Sequence, residues 1–413
     1  MQTLGLSMIA KNEAKSIRSC LESVNGIVSQ IVIGDTGSSD ETPNIARECG
    51  ATVVSVPWED HFAKARNAVL EHMTTDWVLV LDADEELDPN AKQLLPGLLD
   101  AADISAYLVT HRLYMRPGTS YSMEAVSNSN NSRFGRAQEA GSCHDVASIK
   151  LFRRDPRIYF FGRIHELIEY RICALGLAFP KSDIVVHNFS YLGTETLEAR
   201  ARKNDYYREL GRLKVKEEAD NPLAWFDLGK LEYETYQNLE FALSCFRRAS
   251  RLHPPFTRAW LFAAEINLRL KQPKQALAAL AHADSTKEVP IWRERLRGDI
   301  LLKLGQVAQA RMAYAQALQL SGADPLIESR LGYSEVRLGE VQSGFQKLRR
   351  AADQMPHRAE VRDLLVEACV FTGDLAGAEA AVERFAACNG NANGLFYNNE
   401  LTASGHQAMP VIS

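Results

Sequence analysis

The chain has 413 residues, of which 46 % are hydrophobic and 24 % are charged, and its formal net charge is -5. A chain of this length is too long for one compact core, so we expect two domains or a domain followed by a repeat array. The slightly acidic balance excludes a sequence-wide basic field of the kind that binds nucleic acid or an anionic membrane.

The N-terminal stretch MQTLGLSMIAKNEAK has no basic region before its short apolar run. No part of the chain approaches the roughly 18 consecutive apolar residues of a membrane span. The seven cysteines never occur as C-x-x-C, which argues against a zinc knuckle and suits a reducing cytosol. From these features we expect a cytoplasmic protein with no signal peptide, no membrane span and no nucleic-acid partner.

Short apolar runs alternate with amphipathic stretches over residues 1–190. The strand-like runs are TLGLSMIA, SQIVIGD, ATVVSVP and DWVLVLDAD, and the helical stretches between them are NEAKSIRSCLESV, TPNIARECG and FAKARNAVLEHM. This order predicts an α/β fold with a mostly parallel, Rossmann-like sheet and helices on its faces. Ligands of such sheets bind at the carboxyl ends of the strands. Polar residues just after each run are therefore the first candidates for chemistry.

Four acids follow the last of these runs within five positions, in LDADEE. Side chains alternate along a strand, so Asp82 and Asp84 would point the same way and converge on one cation, with Ala83 turned into the core. Magnesium or manganese prefers such an oxygen pair and keeps open positions for substrate phosphates. An acidic turn that opens a helix at ELDPNAKQLLPGLL explains the same residues without a metal, and we assign Glu85 and Glu86 to that role.

Two more polar residues follow strands. Helix capping by Ser39 and Asp40 explains much of the stretch DTGSSDETP, but it does not explain Asp35. That acid is suited to accept a hydrogen bond from a uracil imide or a ribose. The glycines nearby match neither the dinucleotide-binding pattern nor the P-loop. Arg66, at the start of the FAKARN helix, is either a solvated arginine or a phosphate or base contact.

A 34-residue period begins near residue 223, where WFDLG matches the W-x-x-L-G of a tetratricopeptide repeat. Glycines recur at this spacing at Gly305, Gly339 and Gly373, and small residues recur at 276, 310, 344 and 378. The period resembles tetratricopeptide repeats, in which small residues let two helices approach each other. We predict about five repeats over residues 223–386, preceded by a linker helix over 195–222 and followed by a loosely ordered tail over 387–413.

Six motifs occur in a fixed order: SMIAKNE, DTGSSDET, FAKARN, DWVLVLDADE, FFGRIHE at 160–166 and VHNFSYLG at 186–193. Together they resemble family 2 glycosyltransferases with the GT-A fold. With the repeats, the chain is similar to the branch that includes S-glycosyltransferases of bacteriocin peptides such as sublancin. The resemblance covers residues 4–193 in motif order. It implies a GT-A domain over residues 1–194 that moves a sugar from a nucleotide sugar, expected to be UDP-linked, with inversion and with Mg²⁺ or Mn²⁺.

The resemblance also implies how the nucleotide is held. Ile9, Ala10 and Glu13 would line the nucleotide cleft, and Asp35 would hold the uracil. The family commonly has two adjacent acids after the second strand, whereas this chain has Thr36 at the second position. The identity of the nucleotide therefore stays open.

Three further roles follow from the resemblance. Arg66 would contact the base or the phosphate, and Asp82 would meet the ribose and the water shell of the metal. Asp84 would ligate the Mg²⁺ or Mn²⁺ ion that bridges the diphosphate. His187 is either a third metal ligand, as a late histidine is in several GT-A enzymes, or a core histidine.

The acceptor's O–H or S–H must lose its proton as it attacks, which requires a nearby carboxylate or imidazole. His165 and Glu166 supply both groups, and only one of the two faces the cleft if this stretch is extended. We assign Glu166 as the base and His165 as its neighbour or a sugar contact. The alternative is that Glu166 merely pairs with Arg163 or Arg154. Inversion by a single displacement requires no covalent nucleophile.

The acceptor is the least defined part of the prediction. Stacked repeats form concave surfaces that suit a peptide, so we expect them to hold a peptide or protein side chain (Ser/Thr or Cys) or to form a homodimer. The alternatives are a saccharide- or cell-envelope-directed glycosyltransferase and a nucleotide-sugar-binding scaffold without turnover. The polar stretch 118–145 is either a flap over the site or a surface linker.

Overall fold

A computed structural model of the protein describes residues 2–116, 128–129, 134–192, 196–283 and 289–390. The contacts divide the chain into two compact units, Met1–Leu231 and Glu232–Ser413. The first unit contains the predicted strands, and the second contains most of the predicted repeats.

In the described residues of the first unit, nine strands form one mixed sheet. They are β1 Leu4–Ala10, β2 Gln30–Asp35, β3 Thr52–Ser55, β4 Trp77–Val80, β5 Glu85–Leu87, β6 Ala106–Met115, β7 Asn128–Ser129, β8 Ser142–Arg153 and β9 Lys181–Asn188. Their order is β3-β2-β1-β4-β8-β6-β9-β5, and β7 pairs with β8 outside this path.

The sheet is parallel over its N-terminal half. Strands β3, β2, β1 and β4 are parallel neighbours, and Ala10 lies opposite Asp35 at the carboxyl ends of β1 and β2. Strand β8 then runs antiparallel to both β4 and β6. The predicted α/β class is confirmed. Because parallel strands end at the same edge, the loops after β1, β2 and β4 lie side by side.

Short helices cover both faces of the sheet. Their bounds are α1 Ile17–Ser23, α2 Thr42–Glu48, α3 Phe62–Leu70, α4 Ala91–Leu99 and α5 Glu169–Ala174. Apolar residues of α1, α2 and α4 pack on one face, and those of α3 and α5 pack on the other. The run Trp77–Val80 is buried throughout, as expected for a central strand covered on both sides.

The LDADEE segment departs from the prediction at its last two acids. The chain turns after β4, with the Glu85 N–H donating to the Asp82 carbonyl at 3.0 Å. Glu85 and Glu86 then form part of β5, which pairs with β9, and helix α4 begins only at Ala91. The assignment of Glu85 and Glu86 to a helix N-terminus is therefore wrong. Ala83 is buried as expected, with 4 % of its surface exposed.

A long polar helix, α6 Leu197–Glu217, precedes the repeats. Ten helices follow within the described residues: α7 Pro222–Glu234, α8 Leu239–Leu252, α9 Thr257–Arg269, α10 Pro273–Ala283, α11 Pro290–Lys303, α12 Val307–Ser321, α13 Pro325–Arg337, α14 Val341–Gln354, α15 Ala359–Thr372 and α16 Leu375–Gly390. The recurring glycines Gly305, Gly339 and Gly373 have φ values of 78°, 88° and 79°, which favour glycine, and they turn the chain between helices.

Small residues allow close helix contact inside the repeats. A Cβ atom added to Gly332 would lie 2.7 Å from the carbonyl oxygen of Gly344 on the next helix. We expect Gly332→Ala to lower the free energy of unfolding by about 1–3 kcal/mol, because backbone must move to admit the methyl group. Chemical denaturation measures this loss.

Gly97→Ala is the matched control for that substitution. Gly97 lies in helix α4, and a Cβ atom there would meet nothing within 4 Å. Alanine at this position should stabilise the helix or have no effect. Equal stability losses for the two variants would contradict the packing explanation.

Two segments were predicted from the sequence to lack regular secondary structure, but parts of both form helix or strand. Residues Gly135–Glu139 form a 3-10 helix, and β8 begins at Ser142, so the end of the 118–145 stretch belongs to the sheet. Helix α16 extends to Gly390, into the predicted tail. Residues 117–127, 130–133 and 391–413 lie outside the described residues. None of the helices that the structure describes is both long and apolar enough to cross a membrane.

Candidate functional site

The loops after β1 and β2 are joined by hydrogen bonds at the carboxyl edge of the sheet. Asn12 has a φ of 59°, and its N–H donates to the Ser38 hydroxyl at 3.0 Å. The Asn12 side chain accepts from the Ser39 N–H at 2.8 Å. The N–H of Glu13 donates to the Thr42 hydroxyl at 2.7 Å. These contacts join the loops after β1 and β2 into one wall at this edge, and Asn12 is one of the polar residues after a strand that are candidates for chemistry.

Asp35 lies at this wall, half-buried, where its carboxylate accepts the Ser38 N–H at 3.0 Å. The neighbouring Thr36 is buried and donates to the Ala10 carbonyl at 3.2 Å. Ala10 itself is 4 % exposed, whereas Ile9 and Glu13 are half-buried. Only Asp35, Ile9 and Glu13 of this set therefore present side-chain surface at the edge.

Arg66 joins two carboxylates from distant parts of the sequence. Its Nε donates to Glu166 Oε1 at 2.6 Å, and its Nη2 donates to Asp82 Oδ1 at 2.7 Å. The side chain is 11 % exposed, and its guanidinium carbon lies 5.5 Å from the centre of the Phe160 ring. Burial opposes the charge, but Asp82 and Glu166 more than offset it, so the pKa of Arg66 is raised. Among the described residues, the buried Nη1 atom has no hydrogen-bond partner.

Glu166 faces this arginine because the chain bends sharply at residues 162–166. Phe161 and Leu167 pair across the bend, and His165 has a φ of 50°. His165 is exposed, while the Glu166 side chain is 11 % exposed. The stretch is not an extended strand: Glu166 is turned toward Arg66, while His165 is turned to the surface. Neither predicted alternative partner is used: Arg163 pairs with Glu217, and Arg154 donates to a backbone carbonyl.

Asp84 lies among other acids. Burial raises its pKa to about 7, and the negative charges of Asp82, Glu85 and Glu13 add to the shift. Three carboxylates therefore act on Asp84, one from the loop after β1 and two from the segment between β4 and the end of β5. A group in this environment carries its charge at an energetic cost unless a cation is nearby.

His187 is buried, with 2 % of its surface exposed. Its Nε2 is 3.0 Å from Asp88 Oδ2, and its Nδ1 is 2.9 Å from the Tyr114 hydroxyl. The ring stacks on Phe134 with centroids 4.2 Å apart, and burial lowers the pKa of His187. With both nitrogens engaged, His187 has the contacts expected of the core-histidine alternative. No group of three His, Cys, Asp or Glu side chains in the described ranges is arranged to hold a metal ion.

Lys150 is a buried charge that the sequence analysis missed. It pairs with the fully buried Glu85, 65 residues earlier, at 2.7 Å. Burial opposes both charges, yet Lys150 and His111 hold the pKa of Glu85 well below its usual range. The only signal in the sequence is a single lysine inside the apolar run SIKLF.

Arg66 forms a bridge between Asp82 and Glu166, which we call the Arg66 bridge. This bridge should contribute to the stability of the folded protein. In Arg66→Met, two partly desolvated carboxylates lose their shared cation, and we expect the free energy of unfolding to fall by about 3–5 kcal/mol. Urea denaturation of the purified variant measures this change. Arg18→Met is the control, because it breaks an Arg–Glu pair whose side chains are 49 % and 63 % exposed. Exposed pairs contribute little, so an equal loss in the control would argue against the bridge.

Comparison with known proteins identifies two domains in the chain. Residues 6–159 match the model of glycosyl transferase family 2. The N-terminal unit therefore contains a glycosyl transferase family 2 domain. Residues 259–337 match a tetratricopeptide repeat-like domain, so the family 2 domain is followed by repeats, as predicted.

Three relatives illustrate the similarity. A TPR repeat-containing protein of Synechococcus elongatus is 34 % identical over 206 residues, which are 48 % of this chain and 45 % of the relative. An uncharacterized glycosyltransferase of Rickettsia felis is 26 % identical over 41 % of this chain and 61 % of its own length. The SPbeta prophage-derived glycosyltransferase SunS of Bacillus subtilis is 23 % identical over 55 % of this chain and 49 % of its own length. The chain thus spans about half the length of these relatives.

Proposed function

We propose that this protein is a metal-dependent, inverting glycosyltransferase that uses a nucleotide sugar, most simply a UDP-sugar. The main support is the Arg66 bridge, which brings Asp82 of the LDADEE turn and Glu166 to one guanidinium. A donor-binding acid and a candidate base thereby lie at the same edge of a family 2 domain. Sugar transfer requires the donor-binding acid and the base to lie within reach of the same sugar.

The acids after β4 fit a divalent cation. Asp82 and Asp84 offer the hard oxygen ligands that Mg²⁺ and Mn²⁺ prefer, and such ions commonly use one or two carboxylates together with substrate phosphates. The raised pKa of Asp84, about 7, marks an excess of negative charge that a cation would relieve. When bound, the cation supplies positive charge to the departing diphosphate.

The remaining roles belong to side chains of this chain. Asp35 accepts a hydrogen bond from the base or ribose, and Ile9 and Glu13 line the same wall. Arg66 orients Asp82 and Glu166 through its planar fork. Glu166 takes the proton of the acceptor as the acceptor attacks the sugar carbon. His165, exposed on the bend, contacts the sugar or the acceptor.

We further propose that the acceptor is a peptide or protein side chain held by the repeats. Stacked helix pairs present surfaces suited to peptides, and residues 259–337 match a tetratricopeptide repeat-like domain. A cytoplasmic location is supported by the seven cysteines, all of them free.

A donor panel tests the proposal. Purified protein is incubated with UDP-linked and other nucleotide sugars in the presence of Mn²⁺, Mg²⁺ or chelator, and nucleotide release is measured. We expect one donor to be hydrolysed slowly, only with metal. Tight donor binding with no release, even with candidate peptide and saccharide acceptors, would support the non-catalytic scaffold. A protein that neither binds nor turns over any donor would refute the proposed function.

A further inference from the structure

Glu85 lies directly beneath the turn that holds Asp82 and Asp84. It is fully buried, and its Oε2 accepts the backbone N–H of Asp82 at 2.9 Å. Lys150 Nζ lies 2.9 Å from Oε1 and 2.7 Å from Oε2 of this carboxylate. His111 Nε2 is 2.7 Å from Oε1 on the other side. One carboxylate therefore connects the turn to two neighbouring strands.

The partners of Glu85 come from separate strands. Lys150 is on β8, His111 is on β6, and Asn188 at the end of β9 donates to Glu85 Oε1 at 3.3 Å. The backbone adds two further ties: the Glu85 N–H donates to the Asp82 carbonyl at 3.0 Å, and the Phe189 N–H donates to the Asp84 carbonyl at 3.3 Å. Both ends of the turn are thus fixed to the antiparallel half of the sheet.

Stability alone is a poor explanation for this arrangement. Burying an ion pair costs desolvation energy that its attraction barely repays, and apolar side chains of similar volume often stabilise a core equally well. A buried ion pair instead supplies directional contacts at a defined place. Here that place is the backbone of the turn that holds the candidate metal ligands.

We propose that Glu85 and Lys150 are positioning residues that hold the Asp82–Asp84 turn in the shape that binds a divalent cation. The inference rests on the proposed function. Groups that orient metal ligands without touching the metal commonly change its affinity about tenfold to a hundredfold when they are removed. Glu85 and Lys150 act on the site in this way, through the Asp82 backbone.

The test replaces the charged pair by a neutral pair of similar size, Glu85→Gln with Lys150→Met. Manganese affinity is measured in the presence of UDP from the electron paramagnetic resonance signal of free Mn²⁺. Thermal unfolding is followed by circular dichroism on the same samples. We expect Mn²⁺ to bind about tenfold to a hundredfold more weakly than in the wild type, with a cooperative unfolding transition retained.

The control is Arg112→Gln with Asp145→Asn. Arg112 and Asp145 form a two-point ion pair across the same strands β6 and β8, at 2.7 Å for each contact, but with 29 % and 33 % of their side chains exposed. Within the described residues this pair forms no hydrogen bond to the turn, so manganese affinity should be unchanged. If the double variant at Glu85 and Lys150 does not fold, Glu85→Asp keeps the charge while withdrawing it from Asp82, and it should also weaken Mn²⁺ binding.

The outcomes separate the two proposals. Folded variants that bind Mn²⁺ as tightly as the wild type would overturn the positioning role and leave the metal-dependent function intact. A wild-type protein that binds no Mn²⁺ with UDP would overturn the metal dependence itself, and the positioning role with it. Equal weakening in the Arg112 and Asp145 control would show a general effect of sheet stability and would also overturn the positioning role.

Discussion

Asp84→Asn should abolish metal-dependent turnover and at the same time stabilise the metal-free protein. Burial and three neighbouring acids raise the pKa of Asp84 to about 7, so the folded protein carries this charge at a cost. Removing the charge relieves that cost, and we expect a gain of about 1–3 kcal/mol in the free energy of unfolding without metal. Loss of the cation's charge stabilisation should slow turnover about a thousandfold or more.

The direction of the Asp84 pKa shift determines the pH at which the two proteins should be compared. The pKa of Asp84 is raised on folding, so its destabilising effect is fully present above a pH of about 7 and disappears below the unfolded value. Denaturation is therefore compared at a pH of about 8 in chelator. Asp145→Asn is the control, because Arg112 lowers the pKa of Asp145, and the same substitution there should destabilise the protein and spare turnover. A less stable Asp84→Asn protein would contradict the electrostatic account of the site.

Glu166→Gln should reduce transfer to a hydroxyl acceptor by about 10²- to 10⁴-fold while UDP binding persists. The amide cannot take a proton, but its oxygen can still accept the hydrogen bond from Arg66 Nε. A thiol acceptor is partly ionised near neutral pH, since its pKa is near about 8.5, so the loss should be much smaller for transfer to cysteine. Steady-state rates with paired serine and cysteine peptides measure this difference.

The matched control for Glu166 is Glu217→Gln. Glu217 also pairs with an arginine, since Arg163 Nε donates to its Oε2 at 3.0 Å, but 45 % of its side chain is exposed. Turnover should be unchanged in this variant. Simultaneous loss of turnover and of UDP binding in Glu166→Gln would rule out its assignment as the base and indicate a donor contact instead.

The fold could be predicted wherever a regular spacing of residue types along the sequence determines the local structure. Alternating apolar runs identified β1 to β4 and the helices between them, because each run is a complete strand of a parallel sheet. The 34-residue spacing identified the repeats for a similar reason: Gly305, Gly339 and Gly373 each need positive φ at the same place in a repeated unit.

The candidate site was predictable only in part, because its contacts join distant residues. Asp35 and Asp82 could be located from strand ends, but one of the two partners of Arg66, Glu166, lies 100 residues away in the sequence. Glu85 resembles its exposed acidic neighbours in the sequence, and its burial follows from pairing with Lys150 on β8. His187 carried no local sign of the hydrogen bonds that occupy both of its ring nitrogens.

The most direct test of the donor site is anomalous diffraction from crystals grown with UDP and Mn²⁺, recorded at the manganese absorption edge. We predict one strong peak at the Asp82 and Asp84 carboxylates, with UDP bound at the carboxyl ends of β1, β2 and β4 and its uracil near Asp35. A peak at other residues, or UDP bound away from the carboxyl ends of β1, β2 and β4, would contradict this assignment of the site.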